Sequence, residues 1–198
     1  MRNLLTRGLF LLAALFALSA CALTEDIVEV NYVSETSPQS LGVDDKQVRL
    51  SVDDLRGEYY GTIGAKVNGY GTELGAIIPT VPVRDIVYQA IEQELKARGI
   101  VLSENSGSIV TIEITALHNN FQVGGFTGSA RGITAMNVSV TNSSGTTLYN
   151  RNIAELHVIE EIIMATGVNA VPAVEGALSK AIKSLFEDQD FVDALVAV

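Results

Sequence analysis

A chain of 198 residues with 13 Lys and Arg against 23 Asp and Glu carries a formal charge of −10; without residues 1–20, which hold Arg2, Arg7 and no acid, the balance is 11 against 23, or −12. So acidic a chain, with no basic run, argues against nucleic acid as a partner, because that affinity comes mainly from Lys and Arg neutralising phosphates, and anionic headgroups repel it too. A hydrophobic fraction of 47% and a charged fraction of 18% suit one globular domain with a short extra segment rather than a disordered chain.

Residues 1–20 place Arg2 and Arg7 before an apolar run over 8–18 (GLFLLAALFAL), then small Ser19 and Ala20. That is the three-part layout of a secretory signal, and an eleven-residue run falls short of the ~20 needed to cross a bilayer. The boundary reads Leu18-Ser19-Ala20-Cys21 and resembles the bacterial lipobox, with cleavage between Ala20 and Cys21 and diacylglycerol transferred to the thiol. Cys21 is the only cysteine, so lipidation leaves the exported chain without a free thiol, as suits an oxidising compartment. Acyl burial at ~0.8 kcal/mol per methylene makes two or three chains an effectively permanent membrane anchor. By resemblance to the usual sorting pattern, Ala22 in place of an aspartate implies the outer membrane, with the domain facing the periplasm.

Residues 27–33 (IVEVNYV) alternate apolar and polar and read either as a first strand or as part of a tether over 21–46. A fully extended 22–46 would reach at most ~85 Å and a flexible one would average ~25–30 Å, enough to hold the domain clear of the membrane. A single domain is expected over 47–198. It opens with a strand over 47–53, Val48, Leu50 and Val52 sharing one face. The glycine-rich stretch 57–75, carrying Tyr59, Tyr60 and Tyr70, reads as a loop or a twisted hairpin.

From Val83 the apolar positions Ile86, Val87, Ala90, Ile91 and Leu95 fall at helical spacing, and Gly99 supplies a left-handed stop. Strands are expected over 109–117 and 134–141, separated by a loop at 124–132, and a third returns over 147–158 after the turn NSSGT. A second helix carries Val174, Ala177, Leu178, Ala181, Ile182, Leu185 and Phe186 on one stripe, with Pro172 in its first turn. Asp190 is placed to cap a last short helix bearing Phe191 and Leu195. This order predicts an α+β, two-layer domain: an antiparallel or mixed sheet of about four to five strands with two main helices on one face.

The lipobox LSAC, the strand exit VDDLR at 52–56 before a glycine-bearing loop, the helix ending ELKARG at 94–99, the three-strand region and the terminal EDQDFVDAL at 187–195 together resemble the YajG-type family of uncharacterised Gram-negative lipoproteins. The likeness covers most of 47–196 and rests on the order of elements. It implies an outer-membrane lipoprotein with a two-layer domain and no assigned reaction, and it supplies no catalytic residues.

Catalytic readings find little support in the residues. His157 lies two positions from Glu155, so on a strand both share a face, but a zinc site needs three or four converging ligands; polar residues on a solvated face are the simpler account for them and for His118. The stretch GGFTGSARG at 124–132 lacks the Gly-Lys-Ser/Thr of a phosphate loop and the helix that should follow. Neither Asp53–Asp54 nor Glu160–Glu161 is a dyad, because neighbours on a strand point to opposite faces. No catalytic residue, metal or cofactor is therefore expected.

Arg56 is expected to orient the loop by a salt bridge with the preceding Asp53 and Asp54, an exposed pair of the kind that contributes about 0–1 kcal/mol. With Tyr59, Tyr60 and Tyr70 it forms the candidate partner-binding group, since tyrosine joins apolar area to a polar tip at low entropy cost; the more ordinary role for such tyrosines is to pack a loop onto the sheet. The leading expectation is a noncatalytic binding or scaffolding module that meets an envelope protein or a second copy of itself. A small-molecule or lipid-binding domain, with a pocket between the helices and the sheet, is the alternative, and an envelope enzyme stands below both.

Overall fold

A computed structural model describes residues 24–35, 40–42 and 46–198. The signal segment, Ala20 and Cys21 lie outside the described residues. Strands β1 (Asp26–Val28), β2 (Gln47–Asp54), β3 (Ala65–Val67) and β4 (Glu73–Pro79) precede helix α1 (Val83–Ala97). Then come β5 (Val101–Leu102), β6 (Ile109–Gln122), β7 (Gly128–Thr141), β8 (Thr147–Ile162), α2 (Gly167–Glu187) and α3 (Gln189–Ala197).

The main sheet is mixed and five-stranded, in the order β5-β2-β6-β7-β8. β2 runs parallel to both β5 and β6, which is possible only because a long connection containing α1 carries the chain back across the sheet. β6, β7 and β8 form an antiparallel meander. The alternation legible in the sequence places Val48, Leu50 and Val52 of β2, Val110, Ile112 and Ile114 of β6 and Met136, Val138 and Val140 of β7 in one buried layer. On the reverse face Asn137 donates to Glu113 at 3.4 Å and Asn152 to Asn137 at 2.9 Å, a polar surface of the kind an antiparallel sheet can leave to water.

Both helices cover the apolar layer, and their stripes join the strands in one core that also takes in Val28, Val30, Ile63 and Ile77. Every apolar position expected on the α1 stripe is buried, and α1 stops at Gly99, whose φ of 91° lets Ile100 donate back to Leu95. α2 begins earlier than its apolar stripe suggested, so Pro172 sits inside it rather than in its first turn. Its start is set by tertiary contact, because the Gly167 amide donates to the Asp26 carboxylate at 2.8 Å. The cap of α3 is Asp188 and not Asp190: Asp188 accepts from the Asp190 amide at 3.0 Å, leaving Asp190 in the first turn.

The glycine-rich stretch is a turn of 3-10 helix (Gly57–Tyr59) followed by the β3–β4 hairpin. β1 lies parallel to β4 and completes a second sheet, order β1-β4-β3. Residues 26–33 pack on the domain: Asn31 donates its amide to Glu175 at 2.7 Å and Val33 accepts from Ser179 at 2.9 Å. The loop between β6 and β7 is shorter than its glycines suggested, since β7 already begins at Gly128.

α2 approaches β7 and β8 across two glycines. A Cβ on Gly132 would lie 1.9 Å from the Ala173 carbonyl oxygen, and one on Gly176 would lie 2.3 Å from the His157 ring. Ala130, Ala170, Ala173 and Ala177 keep the rest of the contact thin. We expect Gly132→Ala to lift the helix and lower stability by about 1–3 kcal/mol in urea denaturation, while Gly125→Ala, with nothing near its Cβ, leaves the midpoint almost unmoved; equal midpoints would overturn this packing.

Candidate functional site

Past Asp54 the chain leaves β2, and Arg56 decides where it goes. Its guanidinium donates twice to the Asp54 carboxylate, both at 2.8 Å, and from Nη1 to the carbonyls of Thr62 at 2.7 Å and Leu117 at 2.9 Å. The two side chains are 1% and 8% exposed. This corrects the expectation of an exposed pair with a partner-binding arginine: Arg56 is committed to fastening the 57–64 loop onto β6. Burial pushes the Asp54 carboxyl up, but the hydrogen bonds and charge of Arg56 outweigh it and hold the group below its ordinary 3.8.

The fastened loop joins the two sheets. Asn119 donates its amide to Ile63, Ile63 donates to Ile77, and Ile77 donates to Gly64, each at 2.8 Å. Gly64, at φ 131°, leaves no room for a Cβ against the Asn119 carbonyl, 2.5 Å away. Tyr59 stacks flat on His118, ring centroids 4.2 Å apart. Burial, then the Arg56 charge, hold the His118 imidazole below its ordinary value against the pull of Glu58. Tyr59 therefore packs the loop, while Tyr60 and Tyr70 stand out at 73% and 96% exposure. Tyr70 sits in the hairpin turn, where the Asn68 side chain accepts from the amides of Tyr70 and Thr72 at 2.9 and 3.0 Å.

Two clefts flank this loop and hairpin. One of 620 Å³ lies between Tyr59, Glu73 and Asn119; the buried side-chain Nδ2 and Oδ1 of Asn119 make no protein hydrogen bond. The other, of 510 Å³, is bounded by Asp26, Lys66, Phe121, Phe126, Ile163 and Met164. Neither lies between the helices and the main sheet, where the lipid-binding reading placed its pocket; that layer is filled by the core side chains.

The histidine pair is not on a solvated face. Glu155 and His157 both point beneath α2, Glu155 accepting from the Ser184 hydroxyl at 2.6 Å and His157 lying against Gly176. Among the described residues no three His, Cys, Asp or Glu side chains converge as metal ligands. Other buried charges also close on protein partners. Asp26 pairs with Lys66 at 2.9 Å, and Glu94 pairs with Arg98, whose guanidinium lies 4.2 Å over the Phe186 ring.

The outer edge of β8 is a different kind of feature. Among the described strands β8 pairs only with β7, so the far side of a strand running Thr147–Ile162 is open. Leu156 of that strand is exposed, and its carbonyl accepts a 3.4 Å bond from Lys180 of α2.

For Asp26, Asp54 and Glu94 burial pushes each carboxyl up and hydrogen bonds and nearby cations bring it below its ordinary value. Their stabilisation is complete above the unfolded values, 3.8 for the aspartates and 4.5 for the glutamate, and is lost as pH falls through the lower folded values. Arg56→Met, which leaves Asp54 charged and unpaired, should cost about 3–5 kcal/mol near neutral pH. That deficit should shrink in denaturant titrations run at progressively lower pH, once Asp54 is protonated; a pH-independent deficit would contradict the ion-pair account.

A family profile described as "Uncharacterized lipoprotein" matches residues 35–195. No curated protein matches the chain. Among solved structures, a Xanthomonas campestris protein is similar at TM-score 0.58 and 12% identity, over 85% of this chain and 96% of that one. A neuraminyllactose-binding hemagglutinin homologue from Helicobacter pylori reaches TM-score 0.47 at 9% identity over 86% and 97% of the two chains. A minor lipoprotein from Acinetobacter baumannii reaches 0.44 at 9% over 73% and 92%. At such identities the first of these speaks for the fold alone, and the other two carry no argument. The profile runs from before β2 into α3, and on that ground the chain belongs to the uncharacterized lipoprotein family.

Proposed function

We propose that the chain is a noncatalytic envelope module, fastened by a lipid-modified Cys21 to the periplasmic side of the outer membrane, that binds an extended strand of a protein partner along the open edge of β8. Within its family we place it with the YajG-type lipoproteins on the order of elements. The anchor is supported by the lipobox and by the family. Ala22 after the cysteine favours the outer membrane.

The observation that carries the binding reading is the β8 edge. A long strand with unpaired amides and carbonyls on one side is a template for an added strand, whose main-chain bonds supply affinity. Bulges and prolines are among the usual protections, and over 150–158 β8 has neither. The buried ionisable groups bear on the noncatalytic part, because Arg56, Asp54, Glu94, Arg98 and Asp26 are each engaged in holding the fold. Tyr60 and Tyr70 add a second exposed surface, positioned by Arg56 and Tyr59.

Two measurements test this. Cys21→Ser should abolish palmitate labelling and release the protein from the membrane fraction, and unchanged labelling would reject the anchor. A photoreactive side chain at Leu156 should capture one discrete envelope protein or a second copy in cells, whereas the same probe at Asp53, exposed on β2, should not. No capture from Leu156, with a monomer at every concentration in ultracentrifugation, would reject the binding role.

A further inference from the structure

Where the chain comes from is fixed by β1. Because β1 pairs parallel with β4, Asp26 beside Ile77, the residues before Asp26 run toward the start of β4 and the β3–β4 turn. The Thr24 carbonyl already lies there, 2.7 Å from the point where Gly75 would carry a Cβ. Asp26 is clamped by the Lys66 ammonium at 2.9 Å and the Gly167 amide at 2.8 Å, so this end of the domain does not swing freely. Only four residues lie between Cys21 and Asp26, and whatever their conformation the five steps from one to the other span at most ~18 Å. The tether of 22–46 expected from the sequence is thus shortened to its first few residues.

The same end of the molecule carries an apolar rim. The cleft of 510 Å³ is bordered by Asp26, by Asn68 and Gly69 of the hairpin turn, by the β6–β7 loop and by residues 163–166. On that rim Phe126 is 100% exposed, Ile163 84% and Met164 64%, with Val123 beside them. The backbone is shaped to present them. The β7–β8 register shifts between Gly128 and Ala130, and opposite that shift Glu161 takes a left-handed φ of 61°, a bulge that turns Ile162 inward and leaves Ile163 and Met164 outside. One exposed apolar residue is ordinary, but a contiguous group with a bare phenylalanine marks a contact surface.

We infer that this rim, Phe126 with Ile163 and Met164, sits in the lipid leaflet as a second, noncovalent membrane contact that sets the orientation of the domain. The occupant follows from chain length: with acyl chains on Cys21, lipid is the apolar phase held within ~18 Å of Asp26, and Asp26 borders the cleft itself. A shallow contact of this kind reaches ~5–10 Å into the headgroup and acyl boundary. Glu160 and Glu161 stand next to the rim, which suits a zwitterionic surface rather than an anionic one. The inference rests on the proposed lipidation of Cys21.

The sequence contains no tryptophan, so Phe126→Trp introduces a single reporter. The full lipidated chain, its acylation confirmed by intact mass, is placed in phosphatidylethanolamine–phosphatidylcholine vesicles with brominated acyl chains, beside Met164→Trp and, on the opposite sheet face, Asp53→Trp. Both rim reporters should shift to the blue and lose most of their emission, while Asp53→Trp keeps its emission. Rim reporters as bright as Asp53→Trp would overturn the inference with the anchor intact, and so would blue-shifted but unquenched emission, which means that protein covers the rim. An unmodified thiol in the mass spectrum would instead remove the anchor reading and the inference with it.

Discussion

α2 can lie flat on β7 and β8 only because two glycines and a row of alanines leave it room, and much of the molecule depends on that approach. With a side chain on Gly132 the helix axis would have to rise, and the stripe from Val174 to Leu185 would lose its seat on Met136, Val138 and Val140. The helix also holds elements distant in sequence. Its first amide binds Asp26, Glu175 and Ser179 bind the segment after β1, and Ser184 takes up Glu155 under the sheet edge. Close packing of small residues therefore sets where the N-terminal part of the domain attaches, and through it the side from which the chain arrives.

The second sheet adds a polar constraint to this apolar one. Beyond Asp54, β2 no longer accompanies β6, and the vacated edge is taken over by Ile63 and Gly64 under the control of the Arg56 guanidinium. Asp54 neutralises that guanidinium, and two carbonyls take its remaining reach, so a buried charge is kept with good geometry. The hairpin that follows can then be glycine-rich and still hold its place, presenting Tyr70 at its turn and flanking both clefts. Four carboxylates, Asp26, Asp54, Glu94 and Asp188, are held below their ordinary range. Asp26, Glu94 and Asp188 bind partners distant in the chain, and Asp54 acts through Arg56, which makes long-range structure acid-sensitive.

The candidate site was legible in part. Tyr60 and Tyr70 stand on the surface, whereas Tyr59 packs the loop and Arg56, in the same stretch, turns inward, because the partners that bury them, Leu117 and His118, come from β6. Nothing in the sequence marks Phe126, Ile163 and Met164 as exposed. The phenylalanine is an isolated apolar residue among glycines and the other two follow an apolar strand end, so neither breaks a pattern; the bulge at Glu161 is what leaves Ile163 and Met164 outside. The open edge of β8 was equally hidden, because whether a strand is central or terminal depends on which strands do not join it.

Periodicity alone determined that there would be two amphipathic helices and a sheet with one apolar face, since burial repeats every two or about 3.6 residues wherever one side of an element meets the core. The tripartite start and the lone cysteine likewise set an expectation of export and anchoring without any knowledge of the fold. Only the tertiary structure decided that β2 runs parallel to its neighbours, that 26–28 joins β4, that Arg56 is buried, and that the arriving chain and the apolar rim share one end of the domain. Those are relations between residues far apart in the chain. They depend on which surfaces fit and which charges find partners, and no local pattern records either.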